Sequence, residues 1–141
     1  MTTSTSFDTD VLVIGTGPAG ATTALALATY GVRVKMVTMF NWLANSPRAH
    51  ITNQRAMEVV RDLGLEEEVV RAATPWDQMG DTLFTTSLAG EEIARMRTWG
   101  TGDKRKGDYV QGSPCTMLDL IQPEMESILL KHAAARGAQV S

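Results

Sequence analysis

An α/β fold with a parallel sheet is what this chain predicts, and three adjacent stretches predict it. Val11-Leu12-Val13-Ile14 is an apolar run, Gly15-Thr16-Gly17-Pro18-Ala19-Gly20 is a glycine-rich turn, and Ala19 to Tyr30 is an alanine- and leucine-rich helical segment. A short unbroken apolar run bounded by a turn fits a strand buried on both faces of a parallel sheet. Val32-Arg33-Val34-Lys35-Met36-Val37 then alternates apolar and basic residues and reads as a second strand. Strand, turn, helix and strand in this order make a Rossmann-like βαβ unit.

The turn has the composition of a phosphate cradle. Gly15 lets the chain leave the strand sharply, where a side chain would clash. Gly17 lets the backbone approach phosphate oxygens, and Gly20 lets the helix pack close to the strand. Pro18 suits a first helical turn, because its missing N–H would have had no partner there. The helix start then offers unpaired N–H groups and the positive end of its dipole. Gly15, Gly17, Pro18, Ala19 and Gly20 are therefore candidates to hold the pyrophosphate of an adenine dinucleotide. A βαβ unit that binds nothing is the alternative. Ala24 keeps the helix thin against the strands, and Gly31 stands at its C-cap. An acid about 20 residues past the glycines commonly holds the ribose hydroxyls. Here that position is Thr38, whose hydroxyl can bond ribose but carries no charge.

Thr38 to Thr52 lacks periodic apolar positions and reads as a long loop leaving the carboxyl edge of the sheet, where ligands bind. Thr52 or Asn53 can cap a helix carrying Met57, Val60 and Leu63 and closed by Gly64. Leu65 to Ala73 is a second helical stretch with acids in its first turn. Asp81 to Ser87 and Glu91 to Arg97 read as a hairpin turning at Ala89-Gly90, followed by a glycine- and charge-rich loop. The last helix starts near Gln122-Pro123, passes Met125, Ile128, Leu129 and His132, and ends at Gly137; Ala138 to Ser141 begins another strand. A parallel sheet of two or three strands has an open edge, so the chain is expected to be the N-terminal piece of a larger protein.

Composition narrows the function classes. Thirteen basic against sixteen acidic residues give a net charge of −3, which argues against a nucleic-acid partner. Lys104-Arg105-Lys106 reads as a solvated loop. No apolar stretch approaches membrane-spanning length, and the polar Met1 to Asp10 lacks an apolar signal core. One cysteine, Cys115, excludes an internal disulfide and fits a reducing, cytoplasmic compartment; no motif around it supports a nucleophile. Two histidines, His50 and His132, make a metal site unexpected. His132 is expected on a helix surface.

With these segments placed, the chain resembles the single-component FAD-dependent aromatic hydroxylases, and within them the phenol hydroxylase branch. Gly15 to Gly20, Ala24, Gly31, Pro47-Arg48-Ala49-His50, Asn53-Gln54-Arg55-Ala56-Met57-Glu58 and Leu63-Gly64-Leu65 carry the resemblance, with Asn41-Trp42, Ser87 to Glu92 and Arg97 to Thr101 extending it. The glycine motif is shared by many flavoproteins; the block from Pro47 to Glu58 is more specific.

The resemblance implies a flavoprotein monooxygenase with FAD as cofactor and NADPH as co-substrate. It would hydroxylate a phenol, of chlorophenol type, beside its hydroxyl with O2 and give a catechol; a homo-oligomer fits the whole protein. It implies a division into residues 1–80 as the first part of an FAD-binding domain, 81–112 as a hairpin and loop beginning the substrate region, and 113–141 as a helix and strand returning to the FAD-binding domain. The glycine loop would hold the FAD pyrophosphate, with Thr38 where many members carry Glu. Arg48 matches a loop arginine beside FAD, a counter-charge for phosphates, or is a solvated cation. Gln122 matches a glutamine that touches the cofactor, or is a helix cap. His50 stands where other phenol hydroxylases carry an acid beside the substrate hydroxyl. With an ordinary pKa of about 6.5 it could take the phenol proton; a loop histidine bonded to backbone is the bland alternative. The Pro18-Ala19 pair and the Arg48 block favour FAD over an NAD-dependent dehydrogenase or another flavoprotein sharing only the nucleotide fold. An inactive fragment is the third reading.

Overall fold

The structure is a computed structural model that describes residues 8–41, 43–46 and 48–141. Met1–Phe7, Trp42 and Pro47 lie outside the described residues, and with them part of the polar start and two residues of the family resemblance. In chain order the elements are β1 (Val11–Ile14), α1 (Pro18–Thr29), β2 (Val34–Val37), β3 (Ile51–Thr52), α2 (Gln54–Asp62), α3 (Glu66–Ala72), β4 (Thr74–Pro75), β5 (Thr82–Thr85), β6 (Glu92–Met96), α4 (Lys106–Gly112), β7 (Leu118–Asp119), α5 (Gln122–Ala135) and β8 (Gln139–Val140). They form two compact units, residues 1–49 with 121–141 and residues 50–120.

The first unit is α/β, as the apolar run and glycine turn predict. Its sheet has the order β1-β2-β8 and is parallel throughout, with Val11 opposite Val34, Ile14 opposite Val37 and Lys35 opposite Gln139. Helices α1 and α5 pack against each other. Ala21 and Ala24 of α1 and Ala133 of α5 are fully buried, small enough for close helix approach, while Leu25, Met36 and Leu129 fill the core. Burying a Leu or Met side chain fully contributes about 1.5–3 kcal/mol. Gly31 takes φ +77° after α1, a left-handed conformation that suits glycine. The second strand starts at Val34 rather than Val32, because the Val32 N–H donates back to Leu27 O at 3.0 Å and closes the helix end.

The second unit carries α2, α3 and α4, a small antiparallel sheet of order β3-β7-β4, and the β5–β6 hairpin. Asn53 caps α2, its side chain accepting from the Ala56 N–H at 2.9 Å. Trp76, Met79 and Met117 form a buried cluster, joined by Ile51, Trp99 and Tyr109. The Trp76 and Tyr109 rings are 6.0 Å apart and tilted by 36°, and the Trp76 indole N–H donates to Trp99 O at 2.6 Å.

Three features differ from expectation. The glycine- and charge-rich stretch after the hairpin contains α4; Gly107 and Gly112 lower its helix propensity, but Tyr109 on the same turn packs on the Trp76 cluster. The strands β3, β4 and β7 are two residues each, too short for a periodic signal. His132 is half-buried rather than on the surface.

Candidate functional site

A cavity of about 620 Å³ opens in the first unit, within the range typical of cofactor sites. Gly15, Thr16 and Gly17 form one side, Thr38 to Phe40 and Leu43 to Asn45 another, and Arg48, Gln122 and Glu126 complete the polar lining. The structure thus brings Gly15, Gly17, Thr38, Arg48 and Gln122 to one place. Pro18, Ala19 and Gly20 form the first turn of α1 behind that lining. The cavity lies where β1 and β2 end, because both strands run the same way and their loops leave the same edge.

The glycines of the turn answer to different demands. Gly15 has φ +102°, which a side-chain-bearing residue adopts with strain. At Gly20 a Cβ would run into the backbone oxygen of Gly15 and crowd Val13 Cγ1 at 3.3 Å, so the fold itself excludes a larger residue. Gly17 is unlike both. Its φ of −64° and ψ of 176° suit any residue. A Cβ there would meet only Glu126 Oε1, at an ordinary 3.9 Å. Nothing among the described residues requires glycine at 17, whereas a phosphate lying against the backbone would. The residues present therefore fit a dinucleotide: an N–H cradle at the helix start, a glycine that leaves room for a close ligand, and the Arg48 cation on the cavity wall.

Gln122 and Glu126 stand one turn apart on α5. Gln122 is the first residue of the helix, but its side chain does not cap it: Nε2 donates to Glu126 Oε1 at 2.7 Å. Its backbone N–H donates to Ala49 O at 2.9 Å. Glu126, 4% exposed, is the buried charged side chain among the described residues, and its Oε2 accepts from the Ala44 N–H at 2.8 Å. The Thr38 hydroxyl oxygen accepts from the Phe40 N–H at 3.2 Å, which leaves its own hydrogen to donate. The Thr38 N–H donates to Ser141 O at 3.0 Å.

His50 belongs to the second unit and is not among the cavity-lining residues. Its side chain is bonded to a carboxylate, not to backbone: Nδ1 lies 3.0 Å from Asp119 Oδ2. Pairing of β3 with β7 sets this distance, and the Leu120 N–H donating to His50 O at 2.7 Å extends the ladder to the histidine. The Asn53–Glu58 block proves to be a framework. Gln54 Nε2 donates to Tyr109 O at 2.7 Å and to Cys115 O at 2.9 Å. Arg55 pairs with Glu58, which also accepts from Ser113 Oγ at 2.7 Å. Burial pushes the Cys115 thiol above its ordinary value, with Arg61 opposing and Glu66 adding to the rise. A buried, protonated thiol is a poor nucleophile. Among the described residues no group of three His, Cys, Asp or Glu side chains is placed to hold a metal ion, and no helix is long and apolar enough to cross a membrane.

Asp119 and Glu126 were not singled out from the sequence. Glu126 had a signal, the four-residue spacing from Gln122 that puts both on one helix face. Asp119 had none, because its meeting with His50 depends on pairing between strands of two residues.

The family model described as "FAD binding domain" matches residues 8–141. The 2,4-dichlorophenol 6-monooxygenase of Cupriavidus pinatubonensis is 54% identical over 135 residues, which are 96% of this chain and 23% of that protein. Phenol 2-monooxygenase of a Pseudomonas species is 49% identical over 132 residues, 94% of this chain and 22% of that protein. Among solved structures, the flavin-dependent monooxygenase PieE in complex with FAD and substrate matches with a TM-score of 0.87 and 39% identity, over 94% of this chain and 23% of its own. The chain spans about a quarter of the length of the curated relatives it matches.

Proposed function

The chain belongs to the FAD binding domain family, and from that premise we propose that it is the nucleotide-binding part of a longer FAD-dependent monooxygenase that hydroxylates phenols, chlorophenols included, beside the existing hydroxyl to give catechols. The observation that carries the reading is Gly17, a glycine in an unstrained conformation with room for a Cβ, at the mouth of a cavity lined by Arg48. In this reading the N–H groups from Gly15 to Gly20 hold the FAD pyrophosphate, with Pro18 and Ala19 shaping the first turn. Arg48 offsets the phosphate charge, the Thr38 hydroxyl donates to the ribose, and the Gln122 carboxamide touches the cofactor. FAD, when bound, passes electrons from NADPH to O2 and supplies the oxidising equivalent.

The protein's own contribution to the chemistry is a proton acceptor. His50 donates Nδ1–H to Asp119, which fixes the tautomer and leaves Nε2 as an acceptor for the phenol hydroxyl. Removing that proton enriches the ring in electrons for attack on an electrophilic oxygen. Residues 81–112, whose hairpin is exposed along β6, begin the substrate-binding region. A cytoplasmic homo-oligomer acting on a small phenol and O2 completes the proposal.

The test uses the whole protein. Refolded with excess FAD, it turns yellow at one flavin per chain and couples NADPH oxidation to catechol formation; colourless protein without thermal protection by FAD overturns the assignment. His50→Ala keeps its flavin and loses about a hundredfold or more in kcat/KM for phenol at pH 7. The loss shrinks as pH approaches the phenol's own pKa of about 10, where the phenolate forms unaided. A pH-independent profile identical to wild type removes His50 from the mechanism.

A further inference from the structure

Glu126 sets a physical puzzle. A carboxylate that is 4% exposed stands under the N-terminal end of α1, beside a loop built to receive an anion. An unpaired buried charge is costly, and among the described residues no side-chain cation is bonded to it. Two neutral donors satisfy it instead, one on each oxygen: the Gln122 Nε2–H at 2.7 Å and the Ala44 backbone N–H at 2.8 Å. The positive end of the α1 dipole adds support, since Oε1 would lie 3.9 Å from a Cβ at Gly17.

Both donors belong to the cavity wall. Ala44 stands in the loop that follows β2, and Gln122 opens α5. With Gln122 donating through Nε2, a side chain that accepts on both ends holds the two together. A side chain without oxygens at this position would leave both donors without their acceptor. The Gln122 bond also spends one of that side chain's N–H groups and leaves its oxygen and the second N–H for the cavity.

We propose that Glu126 is a positioning residue for the dinucleotide, locking the Gln122 carboxamide and the loop at Ala44 into one preformed wall. This rests on the cofactor reading above, and the test separates the two. In the whole protein without FAD, the Ala44 amide exchanges its hydrogen slowly in wild type and at least tenfold faster in Glu126→Ala, where both bonds are lost. The same variant binds FAD about tenfold or more weakly by flavin fluorescence quenching. Gln122→Glu/Glu126→Gln exchanges the two groups: the introduced carboxamide accepts from Ala44 and donates to the introduced carboxylate. Slow exchange at Ala44 therefore returns, while FAD affinity stays low because a carboxylate now faces the phosphates. A wild-type Ala44 amide exchanging at the rate of a free loop overturns the proposal, as does an exchange-swapped variant that melts like wild type yet leaves Ala44 unprotected. Wild-type protein that protects Ala44 and ignores FAD would sink the cofactor reading and leave the strut standing.

Discussion

Two glycines three residues apart in one motif separate binding from folding. Gly20 is held by the protein's own backbone, since a Cβ there strikes the Gly15 oxygen. Gly20→Ala is expected to destabilise the first unit by about 2–3 kcal/mol or more, as overpacking does, and a denaturant midpoint measures it. Gly17 has room for a Cβ, so Gly17→Ala should change stability by less than about 1 kcal/mol, the usual difference between glycine and alanine at an N-cap. The same change should weaken FAD binding tenfold or more, because the methyl group occupies the phosphate's approach. Equal loss of affinity and stability in both variants would refute the distinction. The sequence spelled out both glycines but not this difference, because spacing alone cannot tell a contact with a neighbouring backbone from a contact with a ligand. For the same reason Arg48 and Thr38 were legible as candidates, while Glu126 emerged only with its partners.

Elements with strong periodicity were the legible ones. β1, α1, α2 and α5 lie within a residue or two of their expected bounds, because apolar pattern, caps and glycine stops agree there. The short strands β3 and β7 were invisible, yet they bring His50 to Asp119. Helix α2 illustrates how a motif residue can serve the framework. Hydrogen bonds from Arg55 and then Ser113 hold the Glu58 carboxyl below its ordinary value of 4.5. A carboxyl depressed on folding lends stability above its unfolded pKa and loses it as pH falls through the folded one. Glu58→Gln should therefore melt below wild type at pH 7, with the gap closing as the pH drops under about 4. A gap that stays constant across the acid range would show that Glu58 does not act through its charge.

On the scale of the whole molecule, the βαβ pattern revealed the fold class and the composition narrowed the function, but the division into units was hidden. The boundaries at 49/50 and 120/121 fall inside stretches with no change of composition, and the second unit is closed by contacts far apart in sequence, such as Gln54 with Tyr109. Leu12 and Ile14 stand on the face of β1 away from α1, 54% and 84% exposed. Parallel sheets are ordinarily covered on both faces, and a chain spanning about a quarter of its relatives is one in which that cover would be supplied from elsewhere in the longer protein proposed above.

The indole of Trp76 is almost wholly shielded from water and tied to a carbonyl oxygen. Indole emission shifts to longer wavelength when water reaches the ring, so in a Trp42→Phe variant of this chain the tryptophan fluorescence, left to Trp76 and Trp99, follows the melting of residues 50–120. The visible band of a bound flavin would follow the other unit. One heating experiment watched at both wavelengths would therefore time the two halves against each other without any added label.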